Sequence, residues 1–204
     1  MVTQKPDDFA SRVSLLNEPE LSECWRRAIY QHHIAGTSPA LVAAALDALS
    51  KWSAVPFGGP GSIQMQGIQG ATLTVTRCIV DAEDRSYALS RKLGLLFHSK
   101  NIGVAFTAVR HFEVHIPSPL SIFVIDHLIS VASSIDVPIS PNAMSLRAIS
   151  FKVLFDLDSS FINFPSLATA VDECIIGCRA WALDGRQVYR DTLQRLLKYR
   201  AATK

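Results

Sequence analysis

Three segments of this chain alternate apolar and polar residues with a period of two, and each is followed by residues with helical spacing. The segments cover residues 71–79, 106–116 and 148–157. A period of two is typical of β-strands with one buried and one wetter face, and β-branched residues favour a pleated surface. Since fully buried parallel strands have continuous apolar runs, the pattern predicts helices on one side of a sheet. The expected fold class is therefore α+β, or two-layer α/β, with at least three strands alternating with helices.

The apolar residues of these segments also predict the core. One parity of the second and third strands is aromatic and aliphatic, and the helix expected after the first strand has leucines on one face. We therefore expect one common core that contains Phe106, Phe112, Val114, Ile149, Phe151, Val153, Phe155, Leu89, Leu93 and Leu96.

A loop rich in turn residues divides the chain. Residues 54–61 contain two prolines and three glycines, which is typical of an irregular connection. The sequence thus predicts a helical N-terminal part over residues 1–53 and a domain of alternating strands and helices over residues 62–204, packed as one globular unit. Residues 175–183 are compatible with either a helix or a strand.

The composition is that of a folded intracellular protein. Of the 204 residues, 49% are hydrophobic and 19% are charged, which excludes a disordered chain. The four cysteines lack the spacing of a disulfide framework or a zinc ribbon, and no signal-peptide pattern is visible. We therefore expect a reducing compartment, cytoplasmic or nuclear. The apolar residues 122–135 are too few to cross a membrane and include Asp126, so we expect no transmembrane segment.

Residues 119–133 predict a helix that is apolar nearly all round. Such a helix usually lies between two layers or beneath a partner. We therefore expect a homo-oligomer that associates through this helix, or through the N-terminal helices that contain Trp25 and Trp52.

Basic residues are concentrated at the C-terminus although the chain has a net charge of only +2. Residues 179–204 contain seven basic and two acidic residues, a local net charge of +5. Such a segment can contact the phosphates of nucleic acid or an anionic membrane surface. Alternatively it is a solvated helix face, since basic residues near a helix C-terminus complement the helix dipole. The candidate anion-binding residues are Arg186, Arg190, Arg195, Lys198 and Arg200, together with Arg91 and Lys92.

The best candidate for metal chemistry is the segment His111-Phe112-Glu113-Val114-His115. On a strand, alternate residues share a face, which would bring two imidazoles and a carboxylate to one side. Successive ligands on a straight strand are roughly 6 to 7 Å apart, however, so the three rarely reach one cation without a bulge. The alternative is the polar face of an edge strand.

Other reactive residue types have simpler interpretations. Cys174 and Cys178 are one helical turn apart within an apolar face, and we interpret them as small buried hydrophobic residues. The glycine pairs lack the lysine of a phosphate-binding loop, and no nucleophile elbow or zinc-protease helix is recognisable. We expect neither a cofactor nor a catalytic centre.

An apolar chain without catalytic motifs but with a basic C-terminal segment is similar in profile to assembly subunits such as viral matrix or nucleocapsid components. This profile predicts a non-enzymatic assembly protein that self-associates and contacts RNA or an anionic membrane surface through its C-terminal helix. A first alternative is a nucleic-acid-binding protein in which Arg85, Arg91 and Lys92 join the C-terminal residues in one patch. A second is a metal-dependent enzyme that uses the His-x-Glu-x-His strand.

Overall fold

A computed structural model describes residues 5–30, 38–81, 86–115, 125–133, 141–157, 166–182 and 187–202. Within these ranges the chain forms ten α-helices and a short 3₁₀ helix, Leu96–His98, and no strand. In chain order the α-helices are α1 (Pro6–Val13), α2 (Glu18–Tyr30), α3 (Pro39–Ser53), α4 (Ile63–Asp81), α5 (Ser86–Leu95), α6 (Ile102–His115), α7 (Ile125–Ser133), α8 (Pro141–Leu157), α9 (Ser166–Ala182) and α10 (Gln187–Ala202).

The prediction of an α+β or two-layer α/β fold is wrong. The three segments interpreted as strands lie in α4, α6 and α8, and the open segment 175–183 is helical as far as Ala182. The described part of the chain is all-α. The helices predicted in the N-terminal part and after the first supposed strand are present, and α3 begins as expected, because the Ser38 Oγ accepts a hydrogen bond from the Leu41 N–H at 3.1 Å.

Helix α8 shows why the period of two was misleading. All six residues from Leu146 to Phe151 are buried, so neither parity faces water. A period of two places Ala148 and Ser150 on the wetter face of a strand, but both are small buried residues that allow close helix packing. The Ser150 hydroxyl donates to the Leu146 carbonyl one turn earlier at 2.9 Å, which satisfies it within the helix.

The threonines of α4 were misleading in the same way. Thr72 and Thr76 are buried rather than on a wet face. The Thr72 hydroxyl donates to the Ile68 carbonyl at 2.8 Å, and the Thr74 hydroxyl donates to the Gly70 carbonyl at 3.0 Å. These bonds to preceding carbonyls let a β-branched polar residue lie inside a helix.

The chain divides into two compact units, Met1–Leu120 and Ser121–Lys204. The residues of the expected common core are divided between these two units. Leu93 and Phe106 belong to the first unit, whereas Ile149 and Phe151 belong to the second. The glycine and proline loop 54–61 lies within the first unit.

Helix α4 forms the centre of the first unit, where α2, α3 and α6 all pack against it. Two tryptophans without solvent exposure fill this core. The ring of Trp25 packs edge-on against Phe9 with centroids 5.1 Å apart, and the Trp52 indole N–H donates to the Ser22 hydroxyl at 3.0 Å.

The second unit contains α7 to α10. Helix α7 packs mainly on α8, and α9 makes its largest contact with α10. Because only residues 183–186 separate α9 from α10, the two helices are antiparallel neighbours. We call this pair the α9–α10 hairpin. Among the helices of the described ranges, none has the length and hydropathy needed to cross a bilayer.

Candidate functional site

Helix α10 presents one side to its own unit. Tyr189, Thr192 and Leu196 are fully buried and follow a spacing of three and four residues. The Thr192 hydroxyl donates to the Ala148 carbonyl of α8 at 3.4 Å. These buried contacts fix the orientation of α10 about its axis, and so they also fix which residues lie on its opposite side.

The outward side of α10 is basic. Arg190, Arg195 and Lys198 are all exposed, and we call these three residues the basic face. The acid beside them is Asp191, which is half-buried and accepts a hydrogen bond from the Gln187 side chain at 2.7 Å. Three of the candidate anion-binding residues therefore lie together in water on one helix.

Arg200 has a different environment. Its guanidinium donates to the Asp172 carboxylate of α9 at 2.7 Å. The side chains are 38% and 46% exposed, and such a solvated pair contributes about 1 kcal/mol or less. Arg200 thus joins α9 to α10 through Asp172. Arg186, the remaining candidate of this segment, lies outside the described residues.

Arg91 and Lys92 are exposed on α5, in the first unit. The basic face of α10 belongs to the second unit. A single patch that combines the two groups stays a prediction.

The proposed metal strand is helical in the structure. His111 to His115 are the last five residues of α6. Residues two apart on a helix point in nearly opposite directions, so the reason for grouping His111, Glu113 and His115 on one face no longer holds. Across the described residues, no cluster of three or more His, Cys, Asp or Glu residues has a metal-binding arrangement.

The two cysteines of α9 are in contact. Cys174 and Cys178 are both fully buried, and their Sγ atoms lie 3.8 Å apart. The hydrogen bond to Cys178, and secondarily burial, raises the pKa of Cys174 well above its ordinary value. The same hydrogen bond lowers the pKa of Cys178. The sequence spacing indicated a shared face but not this sulfur–sulfur contact.

The sequence interpretation missed an exposed apolar surface on the α9–α10 hairpin. Ile176 is 68% exposed and Leu197 is 38% exposed. Ile176 lies one turn after Asp172 on α9, and Leu197 lies nearly one turn before Arg200 on α10. Because Asp172 and Arg200 form an ion pair and the helices are antiparallel, both apolar residues lie on the side of the hairpin that this pair marks.

Comparison with known proteins gives no relative. No family model matches the chain, and no curated protein or solved structure matches it significantly.

Proposed function

We propose that this chain is a non-enzymatic assembly protein that contacts a phosphate-rich polyanion through the basic face of α10. The observation that carries the proposal is the two-sided character of this helix. Its inner side is fixed by buried residues, so Arg190, Arg195 and Lys198 are held toward solvent.

The spacing of the basic face suits phosphates. Arg190 and Lys198 are eight residues apart, which corresponds to about 12 Å along a helix. Three cations over this length can neutralise about three phosphates and release their counterions. RNA and an anionic lipid surface both present phosphates at such a density, and separate measurements distinguish them.

The aromatic residues of α10 indicate how such a partner is recognised. Tyr189 is buried and Tyr199 is half-buried, with its ring 6.3 Å from the ring of Phe155. Stacking on bases needs exposed rings. Binding through α10 is therefore expected to depend on charge and to have little base preference.

The test is charge reversal on the basic face. The variant Arg190→Glu, Arg195→Glu, Lys198→Glu should lose most of its affinity for single-stranded RNA or for vesicles with anionic lipid. For RNA, the slope of log affinity against log salt should become shallower by about 2, because each lost phosphate contact contributes about 0.7.

A matched control changes the net charge equally. Lys5, Arg77 and Lys100 are exposed residues of the first unit, and their replacement by Glu should leave the affinity within a few-fold of wild type. Circular dichroism verifies that both variants keep their helices. Equal affinities of the two triple variants for RNA and for vesicles would refute the proposal. The double variant Arg91→Glu, Lys92→Glu tests whether α5 adds to the same binding surface.

A further inference from the structure

The thiols of Cys174 and Cys178 form a pair of sulfur donors inside the second unit. They lie one turn apart on the inner side of α9, with Sγ atoms 3.8 Å apart and no solvent exposure. A buried cysteine alone is a small hydrophobic residue. Two sulfurs in contact can also act as a chelating pair.

The helix disfavours a disulfide between these residues. Residues four apart on a helix have Cβ atoms about 5 to 6 Å apart, whereas a disulfide requires about 3.5 to 4.5 Å. Oxidation would thus require α9 to break, so the folded helix favours the dithiol. The same separation leaves room for a bridging atom between the sulfurs.

We propose that Cys174 and Cys178 form a two-sulfur site for a soft monovalent cation such as Cu(I). Thiolates select soft cations over hard ones. One cation bonds to both sulfurs, both S–H bonds break, and two protons leave to solvent. With bonds as long as the zinc–sulfur bond of about 2.3 Å, sulfurs 3.8 Å apart give a bent arrangement. A linear arrangement requires the two sulfurs to move apart by about 0.8 Å, which rotation of both side chains must supply.

Burial opposes a negative charge on the complex, and one nearby cation offsets part of that cost. Both thiols lose a proton and one positive charge is gained, so the complex has a single negative charge. Arg147 of α8 is nearly buried, donates to Glu173 at 3.0 Å, and favours negative charge on Cys174. Its guanidinium therefore offsets part of the cost of a buried anion.

The cation has a short route to the sulfurs. The outer side of α9 exposes Ile176 and Arg179, so a single helix separates the thiols from solvent. Partial opening of the α9–α10 hairpin, a low-cost fluctuation compared with global unfolding, would admit a small cation.

The experiment uses the full chain with only this pair of thiols. In the variant Cys24→Ala, Cys78→Ala the half-buried cysteines of the first unit are removed. Anaerobic titration with Cu(I), buffered by a competing chelator, should show one cation bound per chain. It should also show ultraviolet thiolate-to-copper absorption and a higher Tm, since a ligand that binds the folded state stabilises it.

The matched control keeps Cys24 and Cys78 and carries Cys174→Ala, Cys178→Ala. It should take up no Cu(I) at the same chelator concentration. Each single variant, Cys174→Ala or Cys178→Ala, should bind at least about a hundredfold more weakly, because the second donor acts at a high effective concentration. If removal of the pair unfolds the chain, the single variants carry the comparison. Absence of uptake by the pair-only variant, or single variants that bind as tightly as it does, would overturn the proposal.

Discussion

At Gly67, helix α4 lies close to the backbone of α2. A Cβ atom at this position would lie 2.9 Å from both the Cα and the carbonyl oxygen of Ser22 on α2, and 3.2 Å from the Trp52 ring. Backbone cannot move aside as a side chain can. We expect Gly67→Ala to destabilise the protein by about 1 to 3 kcal/mol in urea unfolding, although alanine has a helix propensity about 1 kcal/mol better than glycine.

Gly103 offers a matched comparison. A Cβ there would meet the ring of Phe57, which is a half-buried loop side chain that can rotate away. Adding Phe57→Ala should therefore relieve most of the penalty of Gly103→Ala and leave that of Gly67→Ala unchanged. If Phe57→Ala relieves both glycine variants equally, the distinction between backbone and side-chain contacts is wrong.

The hydrogen bonds of Glu23, on the surface of α2, predict that the stability of the fold depends on pH. The bidentate hydrogen bonds from Arg26, both at 2.6 Å, and then the bond from Arg27 at 2.7 Å lower the pKa of Glu23 from 4.5 to about 2. Because the pKa is lower in the folded state, this carboxylate stabilises the fold fully above about pH 4.5. The contribution is lost as the pH falls toward 2.

Carboxyl titration followed by NMR measures this pKa directly. Arg26→Gln should move the pKa of Glu23 toward its ordinary value further than Arg27→Gln, because Arg26 donates two of the three hydrogen bonds. A wild-type Glu23 that titrates near pH 4.5 would contradict the expected pairing.

At the scale of elements, Asn101 links the end of α3 to the start of α6. Its side-chain amide donates to the carbonyls of Trp52 and Val55 at 3.0 and 3.1 Å, and its Oδ1 accepts from the Gly103 N–H at 2.9 Å. The residue is only 1% exposed. We expect Asn101→Ala to cost about 2 to 4 kcal/mol in urea unfolding, which combines a lost cap with buried carbonyls that lose their donor.

Asn101→Asp separates the two roles of this side chain. A carboxylate still caps α6 but cannot donate to the carbonyls of α3. We expect it to destabilise by more than about 1 kcal/mol, because the Val55 carbonyl loses the Asn101 donor and the Trp52 carbonyl keeps only the Val55 N–H at 3.2 Å. An aspartate variant as stable as wild type would mean that capping is the whole contribution.

The sequence predicted several helices correctly, but it predicted strands where α4, α6 and α8 lie. These three errors have a common physical reason. Helices such as α5 have one apolar and one charged side, so their period is visible. In α4, α6 and α8, most described side chains are half-buried or buried, and small residues such as Ala148 interrupt the apolar pattern by chance at a period of two. Length gave no warning either, because the segment 71–79 has nine residues, which lies within the usual range for strands, although it is part of the 19-residue helix α4.

Part of the candidate site could also be predicted from the sequence. The positions of Arg190, Arg195 and Lys198 opposite the apolar residues of α10 followed from helical spacing alone. The pairing of Arg200 with Asp172 did not, because it depends on how α10 lies against α9. Tertiary packing also decided that Leu197 is partly exposed while Leu196 is buried.

At the scale of the whole molecule, neither unit has a large net charge. Met1–Leu120 contains eleven basic and ten acidic residues, and Ser121–Lys204 contains nine and eight, so each unit has a net charge of +1. Long-range steering by such small net charges is weak. Any preference for a polyanion must therefore arise from short-range contacts, which is why variants confined to α10 are informative.

The exposed apolar side of the α9–α10 hairpin predicts that the chain self-associates through it. Because Ile176 is 68% exposed and Leu197 38% exposed, their complete burial between copies would contribute about 1 to 2 and about 0.6 to 1.1 kcal/mol, respectively. Light scattering at tens of micromolar, a working range for a moderate interface, should show particles heavier than the 22.4 kDa chain. The variant Ile176→Ser, Leu197→Ser should raise the dissociation constant by about tenfold or more, since at least about 1.5 kcal/mol is lost.

Leu15 supplies the control for this surface, because it is 86% exposed but belongs to the first unit. Leu15→Ser removes a comparable apolar side chain and should leave the mass distribution unchanged. A wild-type protein that is a monodisperse monomer at tens of micromolar would eliminate self-association as part of the function. An equal effect of Leu15→Ser would show that general surface hydrophobicity, rather than the hairpin, holds the copies together. A selective effect of the hairpin variant would place the contact between copies on the hairpin whose second helix, α10, holds the basic face.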